Sequence, residues 1–253
     1  MPHCVLRFYA ELNVFVPHAH RQADWMQPLA GHRSILHLIE DCGVPHTEVA
    51  LILRNGARAS GEETVEDGDR ISVYPAFEGI AASGGLSFHN SGPRPLRFVA
   101  DAHLGELARR LRLLGFDTLW FNDVGDPELA RLSHQQERVL LTRDRKLLMR
   151  REVDLGCYVY PRSTDEQMRY LLQRYQLCDE INPFTRCTVC NGRIVAANAT
   201  AVRDIVPPGV FAVFDRFWSC VDCGKVYWQG SHWESMSQFV AAVCQDASPQ
   251  IEH

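Results

Sequence analysis

The sequence has no long hydrophobic run. No apolar stretch reaches the roughly 18 residues of a membrane-spanning helix, and the first residues lack the pattern of a signal peptide. We therefore expect a cytoplasmic protein. The chain also has no GxxxxGK(S/T), GxGxxG or GxSxG motif, so neither a nucleotide-cradling loop nor an acyl-transfer serine is indicated.

The sequence has no overall excess of positive charge either. Its net charge of −5 argues against binding a polyanion through bulk charge. The charge is uneven, because residues 1–80 carry six arginines and eleven acids, whereas residues 94–181 carry fifteen basic and fourteen acidic residues. Two basic clusters of the second region are candidates for RNA contact and are explained equally well as solvated helix faces: Arg109, Arg110 and Arg112, and Arg143, Arg145, Lys146, Arg150 and Arg151.

A disulfide framework is not expected. The nine cysteines are sparse outside one region and odd in number, which favours metal ligands and free thiols. Two CxxC pairs, Cys187 with Cys190 and Cys220 with Cys223, are separated by 29 residues and can close a tetrahedral zinc site. A redox CxxC is the weaker alternative. Free thiols are expected at the remaining positions, Cys4, Cys42, Cys157, Cys178 and Cys244.

Composition and periodicity divide the chain into regions. Residues 1–79 alternate short strands with one helix, and residues 80–95 are rich in Gly, Ser and Pro, as linkers are. Residues 96–181 alternate strands and helices, a pattern that predicts a parallel sheet with right-handed crossovers. Residues 182–253 contain the CxxC pairs and a C-terminal tail.

Individual elements follow from the same patterns. In the first region the strands are expected at residues 4–9, 12–16, 49–53 and 71–74, with a helix at 34–42. In the α/β region the strands are expected at residues 96–100, 118–121, 139–142 and 157–160, with helices at 127–136, 145–151 and 164–177 and another after residue 103.

Two apolar runs of the α/β region stop at an aspartate. Asp101 follows the first predicted strand, and Asp144 follows the third after one intervening residue. Ligands of an open α/β sheet bind beyond the carboxyl ends of its strands. Two carboxylates at one such edge favour a divalent cation that neutralises them, as in metal-assisted phosphodiester hydrolysis. The alternative is that both aspartates only cap the helices that follow.

Further acids follow the second predicted strand. At least one of Asp123, Asp126 and Glu128 is expected at the same edge of the sheet. Asp126 also suits the N-cap position before Pro127, and Glu128 also suits the first helical turn.

The predicted chemistry is hydrolysis by an activated water. One or two Mg²⁺ or Mn²⁺ ions on Asp101, Asp144 and an acid of residues 123–128 would lower the pKa of that water. Thr142 is a candidate to hydrogen-bond a carboxylate or the scissile phosphate, and it is equally an ordinary β-branched strand residue.

Aromatic residues follow the second CxxC pair. Lys225, Trp228, His232 and Trp233 combine rings with positive or titratable groups, which suits stacking on unpaired RNA bases. Packing of the two tryptophans onto a small ribbon core is at least as good an explanation.

From about residue 96 to residue 236 the chain resembles the Mut-seven C-terminal RNase domain family (Mut7-C), which fuses a PIN-like nuclease fold to a zinc ribbon. FVADAHLGELARRLRLLGFDT, RVLLTRDRKLLMRRE, RCTVCNGRI and CVDCGKVYWQGSHWESM carry the resemblance. It implies a metal-dependent ribonuclease, with Asp101 and Asp144 at the acidic positions and Asp126 as the best match for the third. The fourth acid has no unambiguous counterpart, and Asp165 is a candidate.

Residues 4–79 resemble a ubiquitin-like β-grasp domain of the sulfur-carrier type, through RSILHLIEDCGVP, LILRNGA and VEDGDRISVYPAFEG. Working sulfur carriers end in a free Gly-Gly, whereas Gly84 and Gly85 are internal here. The resemblance therefore implies a module that recruits a protein partner or positions substrate.

The expected fold class is α/β: a PIN-like parallel sheet with flanking helices, an N-terminal α+β β-grasp domain and a C-terminal zinc ribbon. The expected function is a metal-dependent ribonuclease, with structural zinc, catalytic magnesium or manganese, and a ribbon that helps to bind RNA. The alternative is a non-catalytic RNA- or ribosome-binding adaptor.

Overall fold

A computed structural model describes residues 1–29, 31, 33–75 and 92–246. Most of the predicted linker, including Gly84 and Gly85, lies outside the described residues. The chain forms two compact units, one of Met1–Pro93 with Val124–Val159 and the other of Arg94–Asp123 with Tyr160–His253. The domain bounds expected from the sequence stay a prediction.

The N-terminal part of the first unit is a five-stranded sheet packed on one helix. The strand order is β2-β1-β5-β3-β4, in which β1 and β5 are parallel and the other neighbours antiparallel. The elements are β1 (His3–Phe8), β2 (Trp25–Pro28), α1 (Ile35–Asp41), β3 (Leu51–Arg54), β4 (Ala57–Arg58) and β5 (Arg70–Tyr74). This mixed sheet with its single helix gives the N-terminal region a β-grasp-like architecture.

Local sequence explains the helix and one hairpin of this sheet. The Ser34 side chain caps α1 by accepting the His37 amide, and Ile35 and Ile39 turn into the core. Asn55 and Gly56 both have positive φ, 53° and 83°, which gives the two-residue turn between β3 and β4.

The prediction of a strand at residues 12–16 is wrong. Residues Ala10–Val14 form a short 3-10 helix instead. The amide of Asn13 donates to the carbonyl oxygens of Phe8 and Ala10, at 3.0 Å each, and holds the chain in a turn while Leu12 stays buried. The antiparallel partner of β1 is β2, which comes later in the chain.

The first unit also contains two parallel strands and two helices of the α/β region. They are α3 (Asp126–Gln135), β8 (Val139–Thr142), α4 (Arg145–Leu148) and β9 (Gly156–Tyr158). All four residues of β8 are buried, as expected for a strand covered on both faces, and Leu140 pairs with Gly156 of β9.

The second unit begins with a strand–helix–strand segment. It consists of β6 (Phe98–Ala100), α2 (Gly105–Leu113) and β7 (Thr118–Trp120), and β6 and β7 are parallel with Phe98 opposite Thr118. Helix α5 (Thr164–Arg174) follows later and opens with a capping box in which Ser163 and Glu166 each accept the other's amide.

The rest of the second unit is a small antiparallel sheet with helices. The sheet has the order β10-β11-β12. Its strands are β10 (Ile194–Ala197), β11 (Phe217–Cys220) and β12 (Val226–Tyr227). The helices of this part are α6 (Ala199–Val202), α7 (Pro208–Phe211) and α8 (Ser231–Asp246). A small core of Val202, Val206, Phe217 and Val226 holds it together.

The expectation of free thiols is wrong at two positions. Cys178 and Cys244 form a disulfide that links the segment after α5 to α8. The two cysteines are 66 residues apart, so their partnership depends on the fold and not on any local spacing. Cys4, Cys42 and Cys157 are buried thiols outside this disulfide, as expected.

The expected fold class is confirmed: parallel strands are flanked by helices, a β-grasp-like region precedes them, and a cysteine cluster lies towards the C-terminus. Within the described parts of the chain, none of the helices is both long and apolar enough to cross a membrane.

Candidate metal centre and acidic strand ends

The two CxxC pairs meet in the second unit. The sulfur atoms of Cys187, Cys190, Cys220 and Cys223 all lie within 4.8 Å of one another. Cys187 Sγ is 3.6 Å from Cys223 Sγ, and Cys190 Sγ is 3.4 Å from Cys220 Sγ. Zn–S bonds of about 2.3 Å in a tetrahedron place sulfurs about 3.8 Å apart, so the four thiols fit one zinc ion.

Each pair lies in a turn that needs a left-handed residue. At the first turn, Asn191 has a φ of 69° and its amide donates to the Cys187 carbonyl at 2.9 Å. At the second, Gly224 has a φ of 72° and its amide donates to the Cys220 carbonyl at 3.0 Å. Asn and Gly tolerate this conformation best, which explains why they follow the cysteines.

The surroundings of Cys187 favour its thiolate form. Burial alone would raise its pKa, but hydrogen bonds from the Tyr227 hydroxyl and from the amides of Cys190 and Val189 outweigh burial and lower the pKa to about 6. The Tyr227 oxygen lies 3.0 Å from the sulfur and accepts the Thr188 amide at 3.0 Å. The sequence did not single out Tyr227, whose only signal was its place within the aromatic run after the second pair.

Hydrogen bonds connect the turn of the first CxxC pair to the strand–helix–strand segment. Arg112 donates to the carbonyl oxygens of Val189 at 2.8 Å, Thr188 at 3.2 Å and Thr118 at 2.8 Å. The Asn191 side chain accepts the Thr118 amide at 3.0 Å and donates to Asp117 at 2.7 Å. The cysteine site and this segment are therefore joined by a network of hydrogen bonds.

Asp101 and Asp144 each follow a strand and cap the next helix. Asp101 accepts the Ala102 amide at 2.6 Å and lies 3.4 Å from Nδ1 of His103. Asp144 accepts the amides of Lys146 at 2.7 Å and Leu147 at 3.4 Å, both on Oδ1. Because both bonds fall on one oxygen, Oδ2 of Asp144 takes no part in the cap.

Of the remaining acidic candidates, Asp126 and Glu128 belong to α3 of the first unit, and Asp123 is exposed in the second unit. Asp126 is the first residue of α3, and Gly125 is the N-cap, so the expectation of an Asp126 N-cap is wrong. Glu128 accepts two hydrogen bonds from Arg131, at 2.6 and 2.5 Å, and this hydrogen bonding keeps the pKa of Glu128 below its usual range. Asp165 of the second unit pairs with Arg110.

Thr142 is fully buried at the end of β8, and its hydroxyl accepts the Asp144 amide at 3.0 Å. It therefore supports the turn that carries Asp144. In the described residues, the four cysteines are the one set of three or more His, Cys, Asp or Glu ligand atoms that lie this close together. The acidic metal site stays a prediction.

Two of the basic residues predicted to bind RNA have structural roles. Arg112 is 3% exposed, so the expectation that it lies on the outer face of α2 is wrong. Arg145 donates to the Phe15 carbonyl at 2.8 Å and to the Val14 carbonyl at 3.3 Å, within the first unit. Both guanidinium groups are used to join segments of the same unit. Four predicted residues are exposed: Arg109, Arg143, Lys146 and Lys225.

The tryptophans after the second CxxC pair pack internally. Trp228 lies against the small core around Phe217, and the Trp233 ring is 4.4 Å from the Phe184 ring. This is the packing alternative raised by the sequence. The His232 side chain lies outside the described part of the structure.

Parallel strands flanked by helices, joined to a cluster of four cysteines beside a small antiparallel sheet, define an α/β protein with a candidate metal centre. The family model described as Mut7-C RNAse domain matches residues 96–240, more than half of the chain, and the chain belongs to this family. A second model, described as Mut7-C ubiquitin, matches residues 1–81. Both resemblances expected from the sequence are confirmed.

Two solved structures of small archaeal modifier protein 1 from Haloferax volcanii are similar to part of the chain. Each is 16% identical, covers 30% of this chain, and has a TM-score of 0.24. The shares of their own chains that match are 100% and 98%. No curated protein matches the chain.

Proposed function

We propose that this protein is a metal-dependent ribonuclease that hydrolyses RNA phosphodiester bonds. The match of residues 96–240 to an RNase domain family is the observation that carries the proposal. Asp101, Asp144 and Asp126 are the proposed ligands of a magnesium or manganese ion, and Glu128 is a further candidate. Zinc on the four cysteines has a structural role.

The donor chemistry supports this assignment. Carboxylate oxygens are the ligands that Mg²⁺ and Mn²⁺ prefer. An ion bound there would supply a water of lowered pKa and neutralise charge on the phosphate. The capping role of Asp144 does not compete with ligation, since the two amide bonds occupy Oδ1 and not Oδ2. Thr142 acts as a positioning residue, because its hydroxyl holds the Asp144 amide.

Asp101→Asn and Asp144→Asn test the site. Asparagine keeps an acceptor oxygen for the capping bonds and removes the charge, so the fold is retained while the affinity for the ion falls. We expect Mn²⁺-dependent cleavage of a labelled RNA to fall by about 100-fold or more in each variant. The rate is measured with and without Mn²⁺ at matched protein concentration.

Asp215→Asn is the matched control, because Asp215 is an exposed aspartate of the described chain outside the proposed site. It should cleave at the parent rate. Cleavage that is unchanged in both site variants would contradict the assignment of Asp101 and Asp144. RNA binding without cleavage by the parent protein would favour the adaptor alternative.

The proposed partners are RNA and a protein recognised by the ubiquitin-like domain. The exposed residues Arg109, Arg143, Lys146 and Lys225 are the proposed RNA contacts that remain after Arg112 and Arg145 are assigned to internal bonds. The number of phosphates contacted should be small, so RNA affinity should be modest and sensitive to salt.

A further inference from the structure

An open cavity lies on the second unit beside α5. Its volume is about 310 Å³. It begins where β9 ends, because Tyr160 is the second residue after that strand, and continues along one side of the helix. Its lining combines two aromatic rings, a proline, an amide and two charged groups: Tyr160, Pro161, Glu166, Arg169, Tyr170 and Gln173.

The rings of Tyr160 and Tyr170 pack edge to face. Their centroids are 4.6 Å apart and their planes are inclined by 64°. The Tyr170 hydroxyl accepts a hydrogen bond from Arg174 at 2.5 Å, and the Arg174 guanidinium lies over the same ring at 5.7 Å. Tyr170 is therefore held in place, whereas Tyr160 is 40% exposed.

The charges around the cavity favour an anionic ligand on its rim. Four arginines and two acids stand close to this part of α5 or contact it: Arg110, Arg162, Arg169 and Arg174, and Asp165 and Glu166. Asp165 is paired with Arg110. Glu166 accepts the Ser163 amide at 3.2 Å as part of the capping box, and its carboxylate also interacts electrostatically with Arg169. Arg162 and Arg169 remain exposed on the surface.

We propose that this cavity is a subsite for one unpaired RNA base, stacked on Tyr160, with the adjoining phosphate on Arg169. Aromatic rings bind bases of any sequence through their faces, and a neighbouring guanidinium neutralises the backbone. Gln173 offers an amide that can both donate to and accept from the base edge. The inference rests on the proposed function, and it extends that function to the recognition of single-stranded substrate.

The test measures binding of a short fluorescent single-stranded RNA by anisotropy, in metal-free buffer so that no cleavage occurs. We expect Tyr160→Ala to weaken the Kd by about tenfold. Tyr160→Phe and Tyr160→Trp should bind as the parent does, because they keep the ring. Arg169→Ala should reduce the slope of log affinity against log salt by about 0.7, the value for one phosphate contact on a single strand.

Arg216→Ala, which removes another exposed arginine of the same unit, should leave both affinity and salt slope unchanged. Thermal unfolding of each variant verifies that it is folded. An unchanged Kd for Tyr160→Ala overturns the subsite, and so does a Tyr160→Phe variant that binds as weakly as Tyr160→Ala. The cleavage assay of Asp101→Asn is independent of these results, so the nuclease and the subsite can fail separately.

Discussion

At the scale of single residues, Arg112 has the role that differs most from its sequence pattern. Its neighbours in α2 suggested an outward-facing basic cluster, yet it is buried and donates to three backbone carbonyls. Burial lowers its pKa, while the thiols of Cys187 and Cys190 oppose that shift. The guanidinium therefore also lies where a zinc–thiolate site would carry negative charge.

Arg112→Ala should destabilise the protein by about 2–3 kcal/mol, because three backbone carbonyls lose their donor, one in a buried bond and two in partly buried bonds. The measurement is the free energy of unfolding in a denaturant titration. Arg109→Ala, three residues earlier on the exposed side of the same helix, should change that free energy by less than about 0.5 kcal/mol. A loss of RNA affinity in Arg112→Ala without a loss of stability would contradict this structural role.

Residue roles were predictable where the partner is close in sequence. Ser34 and Ser163 each cap a helix, and such a cap involves only the next three residues. The carbonyls that Arg112 contacts belong in part to Thr188 and Val189, which lie 76 and 77 residues further along the chain. No local pattern encodes such a contact, so it could not be predicted from the sequence.

At the scale of elements, we expect the ribbon to depend on a zinc ion bound by the four cysteines. Its hydrophobic core is small, with Val202, Val206, Phe217 and Val226 as its buried members. A core of this size contributes little stability by itself, and small domains of this kind obtain much of it from a bound ion. Bonds from Arg112 and Asn191 then couple the cysteine turns to α2 and β7.

Cys220→Ala should reduce bound zinc from about one ion per chain to almost none, and it should lower Tm by about 5–10 °C. Cys42→Ala is the matched control. Burial raises the pKa of Cys42 to about 12, so this thiol stays protonated at neutral pH, and it lies outside the four-cysteine cluster. Zinc content is measured by elemental analysis and Tm by calorimetry. Full zinc content in the Cys220 variant would contradict the site.

Element types were predicted well where hydrophobic periodicity is strong. β8 was expected at residues 139–142, which is where it lies, because four consecutive apolar or β-branched residues enter a buried strand. The failure at residues 12–16 has the opposite cause. One side chain, the amide of Asn13, bonds back to the chain and replaces the strand with a turn.

At the scale of the whole molecule, the first unit joins distant parts of the sequence. The buried Glu48 carboxylate accepts the amide of Tyr158 in β9 at 2.6 Å, and Arg145 donates to carbonyls near Phe15. The β-grasp-like region is thus bonded to β9 and α4. The sequence showed two separate patterns here, and only tertiary contacts between residues more than 100 positions apart unite them.

His46 makes this junction depend on pH. Its Nδ1 lies 2.7 Å from Glu40 Oε1 and its Nε2 lies 2.8 Å from the Val153 carbonyl oxygen. Two acceptors require two N–H donors, which only the protonated imidazole has. Burial alone would lower the pKa, but the Glu40 and Val153 bonds and the charges of Glu40 and Asp154 raise it above 6.5.

Because the pKa of His46 is raised in the folded state, its stabilisation is fully present below the ordinary pKa of 6.5 and is lost as the pH rises through the folded value. The unfolding free energy of the parent protein should therefore fall over that rise in pH. His46→Gln should cost about 1–2 kcal/mol at about pH 6 and progressively less at higher pH. His18→Gln, at an exposed position, should follow the parent curve. Denaturant titrations across the pH series give the difference in unfolding free energy between the parent and His46→Gln. A difference that stays constant with pH would show that protonation of His46 does not hold the junction together.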